Sequence, residues 1–206
     1  RDLHSFPTRR SSDLSLRDAI LDAGLKEMFR TGYHGTSVRD VTAAAGAPQG
    51  SFTNHFRSKE LFASEVLDRY FLYVRGLVAE ALSDTSLPPR DRLRRYLDLI
   101  TGKLAHDGFT RGCLIGDFSL EASGSSEMLR EQLDEIFREW RAPFAACIAE
   151  AQAAREIASD FDADELADFL LASWQGAMLR MKVERSAAAL ERFKTIAFQT
   201  VFKELP

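Results

Sequence analysis

Apolar residues recur at three- and four-residue intervals along almost the whole chain, and this restricts its fold more than any motif does. Strand-like alternation is nearly absent. The stretch "SLRDAILDAGLKEMFRTG", from Ser15 to Gly32, sets Ile20, Ala23, Gly24, Leu25, Met28 and Phe29 largely along one stripe. Ser15 followed by Asp18 resembles a capping box, and Gly32 is a fitting stop. A chain patterned this way is expected to be all-α, with about nine helices.

Two of those helices are short. In "GTSVRDVTAAAGAPQGSFTNHF", Thr36 or Ser37 caps the first, Val38 and Val41 give it an apolar edge, and Gly46 ends it. Pro48 suits the first turn of the second, where its missing N–H costs nothing. Ser58 caps a fourth helix running through "LFASEVLDRYFLYVRGLVAEAL", which the Pro pair Pro88-Pro89 closes off. Further helices are expected near 89–106, 113–122, 125–153, 162–182 and 186–204, with Asp160, Asp162 and Asp164 at the positive end of the eighth.

The first fourteen residues, "RDLHSFPTRRSSDL", break the pattern. They back-translate, codon after codon, into a sequence resembling a common sequencing-library adapter. They are therefore expected to be an artefact that displaces the native start, and Arg9 and Arg10 do not count as a basic arm. Three parts are expected: 1–14 as artefact, 15–62 as a small helical unit and 63–206 as a larger bundle.

Composition limits the function classes. A net charge of −4 leaves no general positive coat, so nucleic-acid contact would have to be concentrated in one region. Two cysteines, Cys113 and Cys147, are too few for a disulfide framework and suit a reducing cytoplasm. No run approaches the roughly 18 apolar residues of a membrane helix.

Two short helices joined at Gly46, with a preceding helix to pack on, read as a helix-turn-helix. The second helix then offers Gln49, Ser51, Thr53, Asn54 and His55 to a major groove, while Phe52 and Phe56 face inward. Gln and Asn can bond adenine bidentately, and Ser, Thr and His can reach bases or phosphates. Lys59 and the start of the fourth helix are placed for a phosphate. The spacing alone also fits a tight corner in a helical bundle. Charge does not decide, because residues 15–62 hold six Lys and Arg against five Asp and Glu.

The stretch "GYHGTSVRDVTAAAGAPQGSFTNHFRSKELF" resembles the N-terminal domain of TetR-family transcriptional regulators, with the likeness running from Ala19 to Leu61. The resemblance implies a DNA-binding domain whose contacts fall on Thr36, Gln49, Ser51, Thr53, Asn54, His55 and Lys59, with Gly50 allowing close approach. The family usually carries Tyr where this chain has Thr53. It further implies a homodimer through the last two helices and an effector site within the bundle. "DELADFLLASWQGAMLRMKVE" and "AALERFKTIAFQTVFKEL" are apolar enough to need burial on more than one side.

A second segment, "RGCLIGDFSLE", resembles a Gly-Cys-x-x-Gly-Asn segment of a TetR branch responding to N-ethylmaleimide, other electrophiles and acrylate-like compounds; "SWQGAMLRMKVERS" matches the same branch. By that resemblance Cys113 is the sensor, with Lys182 beside it, although Asp117 replaces the branch's Asn. Cys113 follows Arg111 and Gly112 at a helix start, a setting that lowers a thiol pKa, yet a buried inert thiol fits equally. Phe118, Trp140 and Trp174, with Met178, line an effector pocket or belong to the core; Cys147 reads as core.

Two other classes stand beside a ligand-responsive regulator: a helical enzyme using Cys113 and His106, and an architectural DNA-binding protein without effector. The first lacks a third orienting group. The Asp160–Asp164 cluster lacks the Gly and Glu of a calcium loop, and neither zinc spacing nor a phosphate-binding Gly loop is present, so no cofactor or metal is expected.

Overall fold

A computed structural model describes residues 16–158 and 161–204. The expectations for Arg1–Leu14, for Ser15 as a cap and for Asp160 lie outside the described residues. Among the described residues the chain is all-helical, in the order α1 (Leu16–Gly35), α2 (Val38–Ala44), α3 (Ser51–His55), α4 (Lys59–Leu82), α5 (Pro89–His106), α6 (Leu114–Glu121), α7 (Glu127–Ala153), α8 (Ala163–Glu184) and α9 (Ala188–Gln199). The described residues group into two compact units, one made of 16–73 with 114–135 and the other of 74–113 with 136–158 and 161–204.

The first unit is built on α1. Its buried face is Ile20, Leu21, Ala23, Gly24, Leu25 and Met28. The expected stripe lacked Leu21, and Phe29 lies at its edge, half-buried with its ring 5.3 Å from that of Tyr70. Regular helix breaks at Gly32, whose φ of 76° lies in the left-handed region that glycine enters without strain. Of the two caps considered for α2, Ser37 fills the role: its hydroxyl accepts from Asp40 N. Gly46, at φ 65°, ends α2 as expected. Pro48 stands just ahead of α3, and its carbonyl accepts from Ser51 N at 2.9 Å. Ser58 caps α4 through its side chain, which accepts from Leu61 N at 3.1 Å. Arg69 of α4 grips α1 by Asp18, at 2.7 Å, and by Asp22.

In the second unit α8 packs along α9, and the centre is filled by Tyr96, Leu97, Phe144, Leu170, Trp174, Met181, Leu190 and Phe198. Asp162 caps α8, accepting from Asp164 N and Glu165 N. The last helix is shorter than the expected 186–204. It stops at Gln199 because Arg90, from α5, donates to the carbonyls of Phe198 at 3.2 Å and Phe202 at 2.7 Å. Those carbonyls gain partners outside the helix, and the chain turns, with Phe202 fully buried. On α8, Phe169, Leu179 and Val183 remain exposed, at 48%, 54% and 77%. With exposed Ala172 and Gly176 they form a row spaced by alternate threes and fours.

Candidate functional site

Helix α3 has only five residues, too few to persist alone. It is held by Phe52 and Phe56, 2% and 3% exposed, whose rings stand 5.0 and 4.8 Å from that of Phe62 on α4. The Arg17 guanidinium covers the Phe56 ring at 5.1 Å. Fixing these two positions turns the remainder of the helix outward. Gln49, Gly50, Thr53, Asn54 and His55 are exposed and Ser51 is half-buried. A continuous polar face of donors and acceptors results, backed by an aromatic cluster, as base-edge reading requires. Thr53 Oγ1 donates to Gly50 O at 3.0 Å, which orients the hydroxyl at the start of the helix.

Thr36 and Lys59 are placed differently. Thr36 is 2% exposed, and its hydroxyl donates to Gly32 O at 2.7 Å and lies 2.9 Å from Thr31 Oγ1. Its side chain therefore fastens the corner between α1 and α2. Lys59 Nζ lies 4.8 Å over the Tyr33 ring and donates to His34 O at 3.3 Å. Burial pulls this ammonium below the ordinary lysine value, against the opposing influence of the Glu121 carboxylate.

That carboxylate belongs to the same corner, and nothing in the sequence reading singled it out. Glu121 ends α6, which packs on α1. Its Oε2 accepts from His34 N at 3.1 Å, and its carbonyl accepts from His34 Nε2 at 2.8 Å. Space for the carboxylate exists because residue 32 has no side chain: a Cβ there would stand 2.2 Å from Glu121 Oε1. The Ser126 hydroxyl, almost fully buried, meets Glu60 in the same unit. Gly32 was the available signal, but its φ and its missing Cβ are separate reasons for glycine, and only the first can be read locally.

The residues expected to sense an effector divide. Phe118 lies in the first unit, its ring 5.5 Å from Tyr33. Cys113, Lys182, Trp140, Trp174 and Met178 lie in the second. Cys113 is 7% exposed and close enough to Tyr96 to influence that phenol, whose ionisation is pushed upward chiefly by burial. The Lys182 stem passes Gly112, with Cδ 3.6 Å from where a Cβ would be. Trp174 and Met178 are buried, the former with its ring 5.5 Å from Phe193.

A cavity of about 510 Å³ opens between α4, α5 and α7, lined among others by Val78, Leu82, Arg92, Trp140 and Cys147. Of the expected effector residues only Trp140 reaches it. Arg92 is 5% exposed, donates to Leu82 O at 2.9 Å and pairs with Glu150, while its Nε is buried without a partner. Cys147, read from the sequence as core, is indeed buried but also borders this cavity. Its thiol is pushed up to about 11, mainly by burial, and its Sγ donates to Pro89 O at 3.2 Å.

Comparison with known proteins covers both ends of this arrangement. Residues 20–66 match the family model described as bacterial regulatory proteins, tetR family, and residues 89–197 match the Tetracyclin repressor-like C-terminal domain. The HTH-type transcriptional repressor DhaR of Mycobacterium sp. (strain GP1) is 44% identical over 186 residues, which is 90% of this chain and 92% of that protein. The transcriptional regulator AcuR of Cereibacter sphaeroides is 34% identical, over 90% of this chain and 85% of that one. Among solved structures, the regulatory protein TetR from Rhodobacter sphaeroides superposes with a TM-score of 0.85 at 32% identity, covering 91% of this chain and all of that one. Reduced NemR of E. coli gives 0.83 at 26%, covering 90% and 96%. With an exposed polar helix on an aromatic support and these matches at both ends, the chain belongs to the TetR family of helix-turn-helix, DNA-binding transcriptional regulators.

Proposed function

We propose that the protein is a cytoplasmic one-component repressor that binds a palindromic operator as a homodimer and releases it when an effector binds. The observation that carries this reading is the alternation along α3 and its C-cap, where Phe52 and the capping Phe56 are buried and Thr53, Asn54 and His55 are exposed. Residues 15–62 form the DNA-binding domain and 63–206 the effector and dimerisation domain. In the interface Gln49 and Asn54 read bases, and Ser51, Thr53, His55 and Lys59 reach bases or backbone, with Gly50 admitting close approach. Thr36 contributes by holding the corner that presents them.

The exposed apolar row on α8, together with Ile196 on α9, supports dimerisation through the last two helices, since four such helices can bury one another. A dimer supplies the two-fold symmetry that a palindrome requires. The effector is a small organic compound or electrophile. Cys113, with the Lys182 stem passing its neighbour Gly112, is the covalent sensor, and the cavity beside Trp140 and Arg92 favours an effector over a purely architectural protein. Effector binding acts through α4, which carries residues of both units. A coupling of roughly 1–3 kcal/mol corresponds to a 5–150-fold loss of operator affinity.

The test is a fluorescence-anisotropy titration with duplex DNA from upstream of the gene, at two salt concentrations, followed by addition of N-ethylmaleimide. Tight, salt-sensitive, competitor-resistant binding that the compound reverses is expected. Binding indifferent to sequence, or to every compound tried, would overturn the operator or the effector part respectively.

A further inference from the structure

The cavity between α4, α5 and α7 holds a buried cation whose hydrogen bonds are incomplete. Arg92 lines it and is 5% exposed, whereas Arg75, Glu139 and Glu150, the other charged residues along its walls, are exposed. Arg92 Nη1 donates to Leu82 O at 2.9 Å and Nη2 donates to Glu150, while Nε is buried without a partner. Nε and Nη2 share one edge of a guanidinium, the edge that grips both oxygens of a carboxylate in a fork. Glu150 therefore fills half of that edge. It is also the loose member of the pair, with a side chain 55% exposed against 6% for Arg92.

We infer that this cavity is a site for an organic monocarboxylate with an apolar body of one aromatic ring or a short acyl chain. Its carboxylate takes both Nε and Nη2 of Arg92 and sends Glu150 out to solvent. The inference rests on the reading of the second unit as an effector domain. It adds the chemical class of the ligand, and it needs no bond to Cys113. The exchange is favourable because Glu150 regains its hydration while the unpaired Nε–H gains an acceptor. The apolar body lies against Val78, Leu82, Trp140 and Ala146, in a volume of about 510 Å³ that suits a ligand of this size. A cationic ligand fits poorly, because the buried charge is already positive and the carboxylates of the cavity stand at its exposed side.

The experiment is calorimetric titration of the full chain, without DNA, using benzoate, phenylacetate and hexanoate. Benzamide and benzylamine serve as uncharged and cationic counterparts of benzoate. An acid is expected to bind, with the amide and the amine weaker by about tenfold or more, as a charge-assisted fork supports. Glu150→Gln removes the internal competitor and should tighten the acids about threefold, within the range of a half-exposed ion pair. Ala146→Phe fills the cavity from an exposed position and should abolish binding with Arg92 untouched. Arg92→Gln should erase the preference for acid over amide, and the other two variants decide if that protein does not fold. The inference is overturned by silence from all three acids, or by equal binding of benzoate and benzamide. Unchanged or weaker binding in Glu150→Gln, full binding in Ala146→Phe or a preference that persists in folded Arg92→Gln would overturn it as well.

Failure of the wider reading looks different. The acid would then bind as described, and the three substitutions would act as expected, yet DNA affinity would be the same with and without a saturating concentration of that acid. Arg92 would still hold a carboxylate, in a cavity without regulatory use. Conversely, release of DNA by N-ethylmaleimide in a protein that binds none of the three acids would leave the effector reading standing and overturn this one.

Discussion

Gly24 and Phe62 share one volume: a Cβ on Gly24 would stand 2.2 Å from Cζ of the Phe62 ring. That ring cannot step aside, because Phe52 and Phe56 close on it from α3 and its far side. Gly24→Ala should therefore overpack the support of the polar face, at about 1–3 kcal/mol. Thermal unfolding should show a Tm lower by about 2–4 °C for each kcal/mol. DNA affinity should fall with it, since the same three rings hold α3 in place. An unchanged Tm would show that the cluster is looser than these distances imply.

Thr53 is exposed and spends its hydroxyl on Gly50 O. Replacing it with Tyr, the residue usual in the family, should extend a hydroxyl to the DNA backbone. Affinity should rise for all sequences alike, and the salt slope should be essentially unaltered, because a neutral hydroxyl displaces no counterion. A gain confined to one sequence would instead make position 53 a reader of bases.

Cys113→Ser should leave DNA binding intact and abolish release by N-ethylmaleimide, as measured by anisotropy before and after treatment. Lys182→Met should keep binding and slow the modification of Cys113 followed by intact mass, if the Lys182 ammonium assists the thiolate. Persistence of release in Cys113→Ser would move the effector to the cavity beside Trp140.

Cys147 gives a prediction in pH. Its thiol titrates near 9.0 when unfolded and only at about 11 when folded, because burial disfavours the thiolate. The folded state thus retains a proton that the unfolded chain releases. Stability from this source is complete below pH 9 and lost as pH rises towards 11, by about 2 kcal/mol. Cys147→Ser, which keeps a donor for Pro89 O but does not titrate, should flatten that part of the stability curve. Urea unfolding at pH 8 and pH 10.5 measures the difference, and equal slopes for both proteins would rule the assignment out.

What could be read from the sequence was whatever has a local cause. The bounds of α5 follow from Pro89 and the turn after His106, and those of α2 from Ser37 and Gly46. Phe52 and Phe56 were legible as inward-facing because period and residue type agree. The early end of α9 was not, since its cause is Arg90, more than one hundred positions earlier in the chain. Glu121 was hidden for the same reason: its partner His34 is 87 residues away, and a glutamate on a short helix looks like ordinary solvated surface. The second role of Cys147, at the wall of a cavity, depends on where α4, α5 and α7 leave space, which no single helix encodes.

The division of labour within α3 bears on how such a protein changes over generations. Phe52 and Phe56 carry the attachment of the helix, and Thr53, Asn54 and His55 carry little of it because they are exposed. Exchanges at the outward positions should shift stability by no more than about 0.5 kcal/mol. Operator preference can therefore drift through many single steps without passing through an unfolded intermediate. Lineages that keep the three phenylalanines inherit a ready-made platform on which new target sites can be acquired one letter at a time.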